Sequence, residues 1–169
     1  GNLSRPFAMT FSMDTQDILT IKGLIRRGEA RTACTYNNIP LNRVHFLDLP
    51  FYETGKIQKN PISEADVEIV RNLLREVKPH QIFVAGDLAD PHGTHRVCTD
   101  AVFAAIDLEK EEGAKWLKDC RIWMYRGAWA EWEIENIEMA VPISPEELRA
   151  KRNSILKHQS QMESAPFLG

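Results

Sequence analysis

Apolar residues recur at a helical period from about Thr15 to Asn37, where Ile18, Ile21, Leu24 and Ile25 are followed by Ala30, Ala33 and Cys34. Gly28 weakens this helix without ending it, whereas Asn37, Asn38 and Pro40 stop it. Residues 44–49 (Val-His-Phe-Leu-Asp-Leu) form a short apolar run ending at Pro50, which predicts a buried strand. A polar loop around Gly55 follows, as far as Pro61. Ser63 then opens a second helix, with Asp66 three positions on as a weaker form of the capping box. Val67, Val70, Leu73, Leu74 and Val77 form its apolar stripe, and Pro79 closes it.

Residues 81–85 (Gln-Ile-Phe-Val-Ala) predict a strand, residues 86–94 a loop rich in Asp, Gly, Pro and His, and residues 95–117 a helix. Two further strands are expected over 121–125 and 134–141. Ser144-Pro145-Glu146-Glu147 combines a cap, a proline in the first turn and a Glu at the third position, so a last helix is expected to run to about Gln159. Residues 1–14 carry no period and are expected to be a poorly specified leader, with a single domain over 15–169. No internal repeat is present. Helices alternating with short apolar strands predict an α/β fold, a Rossmann-like, mostly parallel sheet with helices on both faces. Ligands of such folds sit beyond the carboxyl ends of the strands, where the 86–94 loop falls.

Composition adds bounds. At 169 residues and 43% hydrophobic content, the chain has the material for one folded core. A formal net charge of −3 gives no basis for nucleic-acid binding. No apolar run reaches membrane-spanning length, and the start of the chain has no basic region followed by an apolar core. Three scattered cysteines, Cys34, Cys98 and Cys120, read as reduced thiols, so a cytoplasmic setting is expected. Asn2-Leu3-Ser4 matches a glycosylation acceptor, which is read as chance.

The densest polar cluster is Asp87-Leu88-Ala89-Asp90-Pro91-His92-Gly93-Thr94-His95, leaving a strand and entering a helix. His92 and His95 can converge on one point, and a nearby carboxylate can orient an imidazole or take a proton. The helix N-terminus would favour an anionic intermediate beside them. The same residues are ordinary cap and turn chemistry, and two histidines do not fill a zinc site that takes three protein ligands plus water. The aromatic stretch Trp123, Tyr125, Trp129 and Trp132 beside Arg126 reads as a sugar-stacking face or as a core strand with its turn.

Residues 78–96, from Lys-Pro-His-Gln-Ile-Phe-Val-Ala through the acidic loop to His92-Gly93-Thr94-His95-Arg96, resemble the second motif of the LmbE/PIG-L de-N-acetylases. Three further pieces line up in order: Arg26 and Glu29 in an R-x-x-E-A helix, Phe46 to Pro50 as an F-L-x-L-P strand end, and Lys151 to Gln161 as a K-x-x-A-L-x-x-H-x-S-Q helix. The resemblance is strongest to the domain that some bacterial proteins carry behind a glucosamine-6-phosphate deaminase-like domain.

That resemblance implies a zinc-dependent hydrolase acting on an N-acetylglucosamine-type sugar. It makes His95 a zinc ligand, and His92 the group that stabilises the oxyanion or protonates the leaving amine. Arg26 becomes a substrate contact or a salt-bridge residue. Thr94 stands where the family usually has Asp, leaving an acidic role beside the histidine to Asp90 or Asp87. The family's first motif, P-H-P-D-D, supplies two further ligands and the general base, and no such string occurs here. The expectation is therefore a partial domain with weak metal binding, a small amino sugar as partner and homo-oligomer assembly left open. Two other readings stand beside it. One is a catalytically inactive sugar-binding or assembly domain. The other is a metal-free phosphodiesterase using His92 and His158, each in an H-x-[ST] triplet.

Overall fold

A computed structural model describes residues 15–52, 60–86, 93–126 and 131–164. The chain divides into two compact units, one of Gly1–Val44 with Ile143–Gly169 and one of His45–Pro142.

In the first unit, α1 (Gln16–Tyr36) begins at Thr15, whose hydroxyl accepts the Ile18 N–H. It packs against a helix near the end of the chain, and Asn37 closes it by donating its side-chain amide to the Ala33 carbonyl and to Ser154 Oγ. The N-terminal part of its apolar stripe is not core, whereas Ala33 in the same pattern is buried. Ile18, Ile21, Leu24 and Ile25 are 42–63% exposed, so helical spacing located the helix but not its buried side.

The second unit holds the sheet. Its first helix, α2 (Glu64–Val77), carries the full capping box: Ser63 Oγ accepts the Asp66 N–H, and the Asp66 carboxylate accepts the Ser63 N–H. Lys78, in the left-handed region, ends it before Pro79. Strand β1 (Gln81–Ala85) leads to α3 (Thr94–Glu111) and then to β2 (Arg121–Tyr125). The two strands pair in parallel, Gln81 opposite Arg121 through Ala85 opposite Tyr125. This β-α-β arrangement with a parallel sheet is the α/β class that the alternating pattern predicts.

The core follows the period of each element. Val67, Val70 and Leu74 of α2 meet Ala101, Ala105 and Ile106 of α3, and Ile82 and Ile122 of the sheet pack onto this cluster. The opposite sheet face carries Phe83 and Tyr125, both more than half exposed. Between the helices, Glu109 accepts hydrogen bonds from Arg71 Nε at 2.7 Å and Arg75 Nε at 2.6 Å.

Four expectations change. Residues 44–49 form no strand: Asp48 has φ +51, which breaks the extended run, and Leu47 and Leu49 reach the core from an irregular backbone. Residues 134–141 form no strand either; Ile134–Asn136 is a 3₁₀ turn, and Ile134 and Val141 are 85% and 70% exposed. Helix α3 stops at Glu111, because Gly113 turns the chain at φ +72 before a 3₁₀ helix over Lys115–Asp119. The last helix, α4 (Pro145–Ile155) in the first unit, has the expected capping box, and a 3₁₀ segment over Gln159–Ser164 replaces its final turn.

Candidate functional site

In the second unit a cleft of about 440 Å³ opens beside the first turns of α3. One wall is the chain from Phe46 to Tyr52, and the other is formed by Thr94 and Cys98. The first wall is irregular yet anchored. Leu47 and Leu49 pack on the core, and Phe51 is 3% exposed. The Phe51 N–H donates to Asp66 Oδ1 at 2.9 Å, while Asp66 Oδ2 accepts the Ser63 N–H at 2.8 Å. Burial pushes the Asp66 carboxyl up, but the hydrogen bonds from Ser63 and Phe51 outweigh it, and its pKa lies below the ordinary value. One charged carboxylate thus caps α2 and fixes a wall of the cleft.

The second wall is set by the sheet. Thr99 Oγ donates to the Ala85 carbonyl at 2.8 Å, tying α3 to the end of β1. Gly93 is the N-cap of α3 and supplies no side-chain acceptor, so the N–H groups of the first turn lack a cap from that residue. The helix end carries partial positive charge, favourable to an anion or developing oxyanion. The Cys98 thiol, desolvated although the residue as a whole is exposed, is pushed up from its ordinary value and stays protonated near neutral pH.

His95 stands exposed in this first turn, on the helix that the loop motif predicts. Asp87, Asp90 and His92 lie outside the described residues. Among the described residues, no three His, Cys, Asp or Glu side chains come together in a group that could hold a metal ion. The described residues therefore do not fit a zinc site; His95 is the one implied ligand they contain.

Arg26 lies on α1 in the first unit, exposed and close enough to Glu29 to lower its pKa. Glu29 receives two hydrogen bonds from Ser160, from the backbone N–H at 2.6 Å and from the hydroxyl at 2.7 Å. His158, half-buried, also acts electrostatically on Glu29. The R-x-x-E-A and H-x-S-Q pieces, matched separately in the sequence, thus meet in one cluster. In the aromatic stretch, Arg126 lies 3.7 Å from the Trp132 ring centroid, and Trp132 Nε1 donates to the Met124 carbonyl at 3.0 Å. Trp129 lies outside the described residues.

Sequence reasoning missed the cleft wall. The expected strand over 44–49 contains Asp48, and nothing local signals that its backbone turns left-handed.

Among the described residues, no helix is long and apolar enough to cross a membrane. No solved structure matches the chain. It is 96% identical over 157 residues to a protein of Bacteroides thetaiotaomicron described as glucosamine-6-phosphate deaminase-like. That match covers 93% of this chain and 24% of the relative, so the chain spans about a quarter of that protein's length. Residues 11–106 match the PIG-L family, described as GlcNAc-PI de-N-acetylase, and this stretch contains both walls of the cleft, so the chain belongs to the PIG-L family.

Proposed function

We propose that this chain is part of a hydrolase that removes the acetyl group from the amino nitrogen of an N-acetylglucosamine-type sugar. The match of residues 11–106 to a de-N-acetylase family carries the reading, and a cleft of ligand size within that stretch supports it. Water adds to the acetyl carbon, the C–N bond breaks, and acetate and a free amino sugar leave. The N-terminus of α3 lowers the energy of the oxyanion formed on the way. His92 protonates the departing amine, with Asp90 as its acidic neighbour. If zinc is used, as the family resemblance implies, His95 would be its ligand among the described residues and the metal would polarise the acetyl carbonyl. The name of the Bacteroides relative supports a link to glucosamine-6-phosphate chemistry, and the scattered cysteines, with no paired spacing, support a cytoplasmic setting.

A second reading is a sugar-binding or assembly domain without turnover. It is favoured by the lack of any P-H-P-D-D string and of a metal-ligating group among the described residues.

The test measures zinc content and acetate release from N-acetylglucosamine, for this chain and for the longer relative, with His95→Ala in each. The hydrolase reading expects chelator-sensitive turnover in the longer protein, lost in His95→Ala, and little metal or turnover in this chain alone. Absence of both metal and turnover from the longer protein supports the binding domain instead. The two-histidine phosphodiesterase reading would instead show as chelator-resistant cleavage of a phosphodiester substrate with no acetate released.

A further inference from the structure

We propose that the open face of the sheet is the docking site for a basic, amphipathic helix from the part of the longer polypeptide outside this chain. Phe83 and Trp123 are register partners, and Tyr125 stands two positions beyond Trp123, so the three share the face opposite α2 and α3. Phe83 and Tyr125 are 55% and 59% exposed. They line a groove of about 770 Å³ together with Trp123, Ile137, Met139 and Val141, the last three also exposed.

The composition of this face is that of a surface meant to be covered. Residues 82–85 (Ile-Phe-Val-Ala) and 122–125 (Ile-Trp-Met-Tyr) are apolar without alternation, the pattern of strands buried on both sides. Parallel sheets are almost always covered on both faces, and here α2 and α3 cover one. A pair of strands has little stability of its own, and a contiguous exposed apolar patch marks an interaction surface.

The occupant follows from length, architecture and charge. The Bacteroides thetaiotaomicron relative matches this chain over 24% of its own length, so most of that polypeptide lies outside the match and can supply the cover. Helices are the elements that pack on the faces of parallel sheets. Glu131 and Glu138 line the groove as exposed carboxylates. Arg126, the cation among the described lining residues, is already bonded to the Gly86 carbonyl at 3.0 Å and stacked on Trp132. The helix that fits therefore sets Lys or Arg beside its apolar stripe. A second copy of this chain fits poorly, because two-fold pairing of the groove with itself sets the same two carboxylates on both sides of the interface.

Phe83→Cys and Tyr125→Cys, made separately in this chain and at the equivalent positions of the longer relative, test the assignment. Alkylation by iodoacetamide is followed peptide by peptide by mass spectrometry, relative to the same cysteine in urea. Both sites are expected to react freely in this chain and at least about tenfold more slowly in the longer protein, as burial under a docked element requires. Adding Glu131→Lys with Glu138→Lys to the longer protein is expected to speed alkylation again, by repelling the helix. Equal rates in the two proteins overturn the proposal. So does slow alkylation in this chain alone, or alkylation that slows as this chain is concentrated, the mark of a second copy. Protection that the charge reversals leave intact overturns the basic helix as the occupant. None of these outcomes depends on acetate release, so the docking surface and the hydrolase reading fail separately.

Discussion

Glu29 and Ser160 are 131 positions apart and meet through two hydrogen bonds, the Ser160 N–H to one carboxylate oxygen at 2.6 Å and its hydroxyl to the other at 2.7 Å. The contact joins α1 to the 3₁₀ segment after α4. The Ser160 hydroxyl and backbone N–H hold the Glu29 carboxyl below its ordinary value of 4.5, with smaller help from His158 and Arg26. A depressed carboxylate stabilises the fold fully above the unfolded value, and that contribution is lost as pH falls through the folded one. Glu29→Gln is therefore expected to lower the melting temperature at pH 7, with the difference from wild type shrinking on acidification below about pH 4. A difference independent of pH would show that the charge is not what matters.

Asp66 holds α2 and the cleft wall at once, with no exposed surface. Asp66→Ala removes the capping box and strands the buried Phe51 N–H. The cost is expected to be about 3 kcal/mol, from a lost cap and an unsatisfied donor together. Urea denaturation reads it; a loss under about 1 kcal/mol would mean that water replaces the carboxylate. The Ser63→Ala change, which leaves the Phe51 contact in place, is expected to cost less.

These residues also mark how far the sequence could be read. The capping boxes of α2 and α4 are legible because their partners are three apart, and helices α1 to α3 because each repeats its period over several turns. The bond from Phe51 to Asp66 spans 15 positions and that from Ser160 to Glu29 spans 131, beyond any local pattern. The 44–49 and 134–141 runs were misread for different reasons. In the first, apolar residues reach the core from a backbone broken at Asp48. In the second, strand-like residues have no partner strand among the described residues and stay exposed. The site was half legible: the loop motif placed His95 on the first turn of α3, but the opposite wall depends on contacts that fold distant residues together.

The ion cluster between α2 and α3 predicts an asymmetry. Glu109 is 3% exposed and accepts from Arg71 and Arg75. Burial raises its pKa, and the arginine hydrogen bonds more than offset that, so it is charged at neutral pH. Glu109→Gln removes the buried carboxylate that the two arginines share, leaving Arg71 to Glu68 and Glu112 and Arg75 to Glu112, and is expected to cost about 2 kcal/mol at pH 7. The double change Arg71→Met with Glu109→Leu is expected to cost less than the single one, since it removes both the charge and its buried partner. Equal or greater loss in the double variant, measured by chemical denaturation, would refute that account.

Gly86 links the sheet to the acidic loop, and its lack of a side chain is required by its surroundings. A Cβ there would lie 2.9 Å from Met124 Cβ and 2.9 Å from Trp132 Cζ2. Neither neighbour yields readily. Met124 Cβ is fixed to the backbone of β2, and Trp132 is held by its Nε1 bond to the Met124 carbonyl and by Arg126 above its ring. Gly86 itself extends the ladder, donating to the Tyr125 carbonyl at 2.7 Å and accepting from Arg126 Nε at 3.0 Å. Relief of the clash must therefore shift the end of β1 or expel Trp132. Gly86→Ala is expected to lose about 1–3 kcal/mol of stability, the usual range for overpacking, and to change tryptophan fluorescence in the folded state. Because Asp87, Asp90 and His92 follow this residue in the sequence, any deacetylase activity of the longer relative is expected to fall with the equivalent change. An unchanged denaturation midpoint and spectrum in Gly86→Ala would mean that β1 and Trp132 are not held as tightly as these contacts imply.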